Sequence, residues 1–295
     1  MRDSRPSRTA HRVAIRRAAH QLVDDPVVFR DPLALTIIGA EAASNLHQQI
    51  SSERDKLNRA LRAFMAARSR YAEDHLDAAV ARGVRQYVVL GAGLDTFAYR
   101  NRHAESGLRV FEVDHPATQA WKRELLGAAK IALPGEMTFV PVNFERQILR
   151  EELQAAGFRS DRPAFFSWLG VTIYLTHEAF TATMRFIRSM PADSGVAFDY
   201  GVTRSSLSFL ERIALQALTL RVGAVGEPFR LFFEPRELAK ELEEMGFRRL
   251  EDLGRKEING RYFAGRSDGL QVTNSIGRLM SAWVQDPGQS ACAKR

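Results

Sequence analysis

The chain has 295 residues, 45% of them hydrophobic, 26% charged and 9% aromatic, which is the make-up of a globular protein able to bury a large core. Its longest uncharged apolar run, Ala164 to Thr176, falls short of the roughly 20 residues a spanning helix needs, so no membrane insertion is expected. The formal charge of +7 is spread over arginines interleaved with acids, without a basic block alternating with aromatics, and a nucleic-acid surface is therefore not expected.

The chain opens with MRDSRPSRTAHRVAIRR, six arginines in seventeen residues, and no apolar stretch follows that would make a secretory signal. This cluster either clamps a small anion or lies on solvent. Residues 10 to 84 have apolar positions at helical spacing, such as Leu57, Leu61, Phe64 and Met65. Asp25-Pro26 and Asp31-Pro32 break the region into pieces, because the residue before proline avoids the helical basin.

From Gln86 the texture becomes strand, turn, helix, strand. YVVLG (87–91), LRVFEVD (108–114), MTFVPVN (137–143), AFFSWLG (164–170) and VAFDYG (196–201) are the candidate strands. Helical or loop segments lie between them: 116–129, 145–157 and 176–190. This alternation predicts βαβ units on a mostly parallel, doubly wound α/β sheet. The last third predicts a helix over 235–247 with a glycine C-cap, then β-type runs at Arg249–Leu253 and Tyr262–Ala264. The end after Asp286 is expected to fray. It carries the single Cys292, which alone can form neither an internal disulfide nor a cysteine metal cluster, and which suits a reducing, cytoplasmic setting. No metal site is expected.

The strand ends carry the chemistry. In an open α/β sheet, ligands sit beyond the carboxyl ends of the strands, where the strand order reverses. VVLGAGLDT ends the first strand, and Gly91 and Gly93 allow close backbone approach to a ligand. Asp114 ends the second strand 21 residues after Gly93, where a carboxylate can accept from both hydroxyls of a ribose or can simply cap the next helix. The third strand ends in PVNFE: Asn143 offers a donor and an acceptor to an adenine edge, and Phe144 an apolar face, unless the pair is an ordinary turn and a core residue.

With these residues in place, the chain resembles bacterial S-adenosyl-L-methionine-dependent methyltransferases of the leucine carboxyl methyltransferase type. The resemblance runs through SRTAHRVAIRRAAHQLVDDPVVFRDPLA, MAARSRYAED, YVVLGAGLDTFAYR, FEVDHPATQAWKRELL, FVPVNFE and SWLGVTIYLT. It implies a seven-stranded class I methyltransferase fold, Rossmann-like, with an N-terminal helical extension and lid over 1–84, a catalytic domain over 85–286 carrying a substrate cover at about 202–235, and a tail over 287–295. It implies that Gly91, with Ala92 and Gly93, holds the methionine end of the cofactor, and that Asp114 holds the ribose. An Asp-Leu pair of the family is replaced here by Asn143-Phe144, whose contact to adenine lacks charge assistance. An arginine that binds the cofactor carboxylate falls on Arg68, with Arg70 close by. Leu169 stands where the family often has a glutamate, leaving a backbone contact.

The expected reaction is O-methyl transfer to a carboxylate or hydroxyl of a small-molecule or lipid-like acceptor. SLSFL (206–210) and RLFFEP (230–235) are expected to line the acceptor pocket. A carboxylate needs no base; a hydroxyl does, and His115, Tyr174, His177 and Tyr200 lie near predicted strand ends, with none singled out as catalytic. The rivals are an NAD-dependent oxidoreductase, which would want a third glycine where Asp95 and Thr96 stand, and a non-catalytic adenosine-cofactor or RNA-associated binder.

Overall fold

A computed structural model describes residues 7–49, 55–143, 147–223 and 228–285. Four helices come first: α1 (Arg8–Val23), α2 (Ala34–Ile37), α3 (Ala40–Gln49) and α4 (Asp55–Ala81). Then β1 (Gln86–Leu90), β2 (Arg109–Asp114), α5 (Pro116–Ala128), β3 (Met137–Pro141), α6 (Leu149–Ala155), β4 (Phe165–Trp168), α7 (His177–Arg188) and β5 (Gly195–Gly201) alternate as expected. The chain continues through α8 (Phe209–Gly223), α9 (Pro235–Glu244), β6 (Arg248–Leu253), α10 (Arg255–Tyr262) and β7 (Gly277–Trp283).

The strands form one sheet in the order β3-β2-β1-β4-β5-β7-β6. All pairings are parallel except those of β7, which runs against both β5 and β6. The chain winds outward from β1 to β3, then crosses back to β4, so order reverses between β1 and β4. That crevice is where an open sheet takes its ligand.

Strands β1, β4 and β5 are buried along their whole length, which is why they read as continuous apolar runs rather than alternating ones. Successive side chains still go to opposite faces. Val88, Leu90, Phe111 and Phe166 pack with Phe180 and Met184 of α7 and Leu238 of α9. Tyr87, Val89, Val110 and Phe165 pack with Ala67, Tyr71 and Leu76 of α4 and Ile258 of α10. Gly195 faces Trp283 across the β5–β7 pairing, where a Cβ would stand 2.4 Å from the indole.

Two elements depart from the sequence reading. Tyr262–Ala264 is not a strand: Tyr262 ends α10 and Phe263 is its C-cap. The Asn259-Gly260 pair disguises that helix, which starts where the Glu257 carboxylate accepts the Gly254 N–H at 3.0 Å. The strand that completes the sheet is β7, whose Arg, Leu, Met, Ser and Ala carry little β preference of their own and are held by pairing on both sides. Cys292 and the tail after Gln285 lie outside the described residues.

Candidate functional site

The glycine turn leaves β1 with Gly91 at φ +66° and Gly93 at φ +49°, both left-handed. A Cβ on Gly91 would lie 2.3 Å from Cγ2 of Val171, so only a hydrogen fits between the turn and the loop after β4. The Gly93 N–H donates to Asp114 Oδ2 at 2.6 Å, and Asp114 Oδ1 accepts the His115 N–H, also at 2.6 Å. Two backbone donors thus aim the carboxylate back at the turn. Burial nevertheless raises the Asp114 pKa above the ordinary carboxylate range, against these two bonds.

Beyond the ends of β1 and β4 opens a cavity of about 600 Å³, the size range of a cofactor and small-ligand site. Its walls bring together Arg68, Gly91, Ala92, Gly93, Asp114, Asn143 and Leu169. Helix α1 closes one side with Ala10, Val13, Ala14 and Arg17. Val171, Leu175 and Ala179 supply apolar surface.

Arg68 enters from α4 and is fixed by an acid that sequence reading left unassigned. Its Nη1 lies 2.9 Å from Asp199 Oδ2 at the end of β5, with side chains 6% and 11% exposed. Asp199 Oδ1 accepts the Gly170 N–H. Gly170 is at φ +72°, and a Cβ there would come within 2.9 Å of Arg68 Nη2. Arg70 points elsewhere: it pairs with Asp74 at 2.6 Å and is 52% exposed. Burial, with Arg12 and Arg68 nearby, lowers the Arg16 pKa, so cations crowd this side of α1.

A buried ionic chain ties the helical extension to the glycine turn. Arg17 Nη2 donates to the Leu94 carbonyl at 2.6 Å, and its Nε lies 3.0 Å from Asp31. Thr96 Oγ1 donates to Asp31 Oδ2 at 2.8 Å. Arg100 reaches both Thr96 and the carboxylate of Glu73. Asp95 accepts the Phe97 N–H at 2.8 Å. The residues that stand where a dinucleotide fingerprint has its third glycine therefore lock the turn to the Asp31-Pro32 segment. Partners 65 residues apart have no sequence signal of their own beyond the residue types.

Other expectations divide. His115 and Tyr174 line the cavity, and His115 Nδ1 accepts the Ala117 N–H at 3.2 Å as the cap of α5. His177 does not line it: the ring is 51% exposed and lies 3.1 Å from Glu241 on the outside. Nor does Tyr200, whose ring is in the core and whose hydroxyl donates to Asp252 at 3.0 Å, because β5 directs it toward β6 and β7. Asn143 is at the wall, its N–H donating to Gln147 Oε1 at 2.8 Å, while Phe144 lies outside the described residues. The SLSFL run turns out to face away from the cavity, with Phe209 and Leu210 74% and 75% exposed, because the start of α8 presents them to solvent. From the 230–235 stretch only Arg230 lines the cavity; Phe233 packs instead on Phe180, ring centres 4.9 Å apart. Among the described residues no group of three or more His, Cys, Asp or Glu is placed to hold a metal ion, and no helix is long and apolar enough to cross a membrane.

The sequence model described as leucine carboxyl methyltransferase matches residues 10–188. The chain is 32% identical to a Bacillus subtilis protein named putative S-adenosyl-L-methionine-dependent methyltransferase YktD, over 94% of this chain and 97% of that one. It is 32% identical to the similarly named SCO7813 of Streptomyces coelicolor, over 71% of this chain and 73% of that one. Among solved structures, a putative methyltransferase from Thermobifida fusca superposes with a TM-score of 0.55 at 15% identity, covering 96% of both chains. A DUF574 family protein from Streptomyces avermitilis gives 0.53 at 18% identity, covering 78% of this chain and 88% of that one.

Proposed function

The chain belongs to the leucine carboxyl methyltransferase family and is an S-adenosyl-L-methionine-dependent methyltransferase with a class I fold, and on that premise we propose that it methylates an oxygen, carboxylate or hydroxyl, of a small apolar or lipid-like acceptor. The observation that carries the reading is the joining, in one cavity, of the polar group formed by the glycine turn, Asp114 and Arg68 with the apolar surface of Val171, Leu175 and Ala179.

The donor set suits the cofactor. In this reading Gly91, Ala92 and Gly93 hold its methionine end, Arg68 its carboxylate and Asp114 its ribose hydroxyls. Asn143 meets the adenine edge and the Leu169 backbone the cofactor, while Phe144, the other half of the pair, lies outside the described residues. S-adenosyl-L-methionine supplies an electrophilic methyl group on a sulfonium. The chain's own task is then to hold an acceptor oxygen in line and keep water out, and good positioning can contribute about 7 to 11 kcal/mol. A carboxylate acceptor asks for no proton transfer. A hydroxyl acceptor would use His115 or Tyr174, the two of the four candidates that line the cavity.

Residues 1–84 act in this reading as cover for the site, since α1 seals one side of the cavity and Ala10 packs 3.1 Å from where a Gly93 Cβ would be. Residues 85–286 are the catalytic domain, with 202–235 contributing Pro228 and Arg230 to the wall. In this reading the acceptor is a small molecule rather than a nucleic acid, since the arginines of the chain are interleaved with acids, and a cytoplasmic setting suits the single cysteine.

Methyl-tritiated cofactor offered with panels of apolar carboxylates, alcohols and amines tests the proposal. Label is expected in an organic-extractable product; release of volatile methanol by mild base identifies an ester, and resistance an ether. Label only in amines or nucleic acid would overturn it.

A further inference from the structure

Helix α8 presents an apolar face that the described residues leave uncovered. Phe209 is 74% exposed, Leu210 75% and Ile213 52%, and their positions put them on one side of the first two turns. Elsewhere among the described residues, large hydrophobics exposed to this degree are isolated: Leu133 in one loop and Ile148 in another. Isolated exposed side chains are ordinary, whereas a contiguous patch marks a contact surface.

The exposed charges beside the patch, Arg204 and Arg212, are cationic. Arg212 is exposed on the same turn, and Arg204, just ahead of the helix, reaches Gln216 at 3.3 Å. Glu211, the only acid in α8, is turned inward: its carboxylate accepts from Ser208 and, at 2.7 Å, from the Ser275 N–H. The chain as a whole carries +7. We propose that this face of α8 docks the enzyme on an anionic lipid surface, with Phe209, Leu210 and Ile213 entering the interface and Arg204 and Arg212 at the headgroups.

A second copy of the chain is the weaker occupant. A two-fold self-contact would gather Arg204 and Arg212 of both copies into one interface, and like charges gathered there oppose association. An anionic bilayer meets both the apolar face and its cationic rim. This surface is separate from the cavity and does not depend on which acceptor is methylated.

Flotation of the full-length chain with phosphatidylcholine vesicles, with and without phosphatidylglycerol, tests the proposal. The protein should float only with the anionic vesicles and be released by high salt. The double variant Phe209→Glu, Ile213→Glu should lower vesicle affinity at least about tenfold, while binding S-adenosyl-homocysteine as the parent does, which shows that it folds. Phe209→Trp should be quenched by brominated acyl chains. No flotation with phosphatidylglycerol, equal flotation of the double variant, or no quenching of the Phe209→Trp variant beyond that of the parent would overturn the proposal. So would a dimer in sedimentation velocity that Ile213→Glu dissociates without any vesicle binding, which would identify a second copy as the occupant.

Discussion

Arg68 Nη1 stands 2.9 Å from Asp199 Oδ2, joining α4 to the end of β5 at the cavity wall. Because the other Asp199 oxygen accepts the Gly170 N–H, one carboxylate fixes both the arginine and the loop after β4. Asp199 is thus a positioning residue. Asp199→Asn keeps an acceptor for Gly170 but removes the charge that orients Arg68. Affinity for S-adenosyl-homocysteine should fall roughly tenfold by calorimetry, about 1.4 kcal/mol. Both Asp199→Asn and Asp199→Ala should in addition lose about 3 to 5 kcal/mol of stability, since each leaves a buried guanidinium without its counter-charge, and Asp199→Ala also strips the acceptor from the Gly170 N–H. Unchanged binding by Asp199→Asn would show that Arg68 needs no orienting partner.

Asp114 separates binding from folding. If its carboxylate holds the ribose, Asp114→Ala should weaken S-adenosyl-homocysteine at least about tenfold while the circular dichroism spectrum is retained. An unchanged dissociation constant would leave Asp114 as nothing more than an acceptor for Gly93 and His115.

Gly91 is constrained in two ways that a pair of substitutions can separate. At φ +66° a Cβ costs roughly 1 to 2 kcal/mol in backbone strain alone. It would also stand 2.3 Å from Val171 Cγ2. Gly91→Ala should therefore disturb the turn and weaken cofactor binding. Adding Val171→Ala should recover the steric share of that loss but not the backbone share. A double variant no better than Gly91→Ala would mean that the loop after β4 yields without help.

How far these features could be read in advance follows from how local their causes are. The five parallel strands and their helices were legible because β1, β4 and β5 are buried along their whole length and each of the five is a β-type run ending in a turn, which is a local signal. Gly91 and Asp114 were legible as candidates because strand ends are where ligands sit, whereas Arg68, on α4, was reached only through the family resemblance. Asp199 was not, since its meaning depends on an arginine 131 residues away. Strand β7 was hidden because pairing on both sides, not its own residues, makes it a strand. The SLSFL run misled because its apolarity was read as lining, while helix α8 turns Phe209 and Leu210 outward.

Asp24 predicts how the helical extension responds to acid. It accepts from Arg62 Nε at 2.7 Å and lies 2.7 Å from His20 Nδ1, with Asp24 and Arg62 side chains 2% and 3% exposed. His20 Nε2 accepts the Val28 and Phe29 N–H groups at 3.0 and 3.1 Å, which leaves the ring proton on Nδ1, facing Asp24. Burial alone would raise the Asp24 pKa, but the hydrogen bonds from His20 and Arg62 prevail and hold it below the ordinary value. The folded state therefore binds this proton less readily than the unfolded chain. The stability it contributes is complete above the unfolded carboxylate value of about 3.9 and disappears as pH falls through the lower folded value. Asp24→Asn should cost about 3 to 5 kcal/mol at neutral pH, because it removes the buried charge that both Arg62 and His20 bond. Its urea midpoint should then approach that of the parent as both are acidified below about pH 4. Parallel midpoint curves for the two proteins through that range would show that Asp24 titrates alike in folded and unfolded chains, and that His20 and Arg62 do not favour its ionised form.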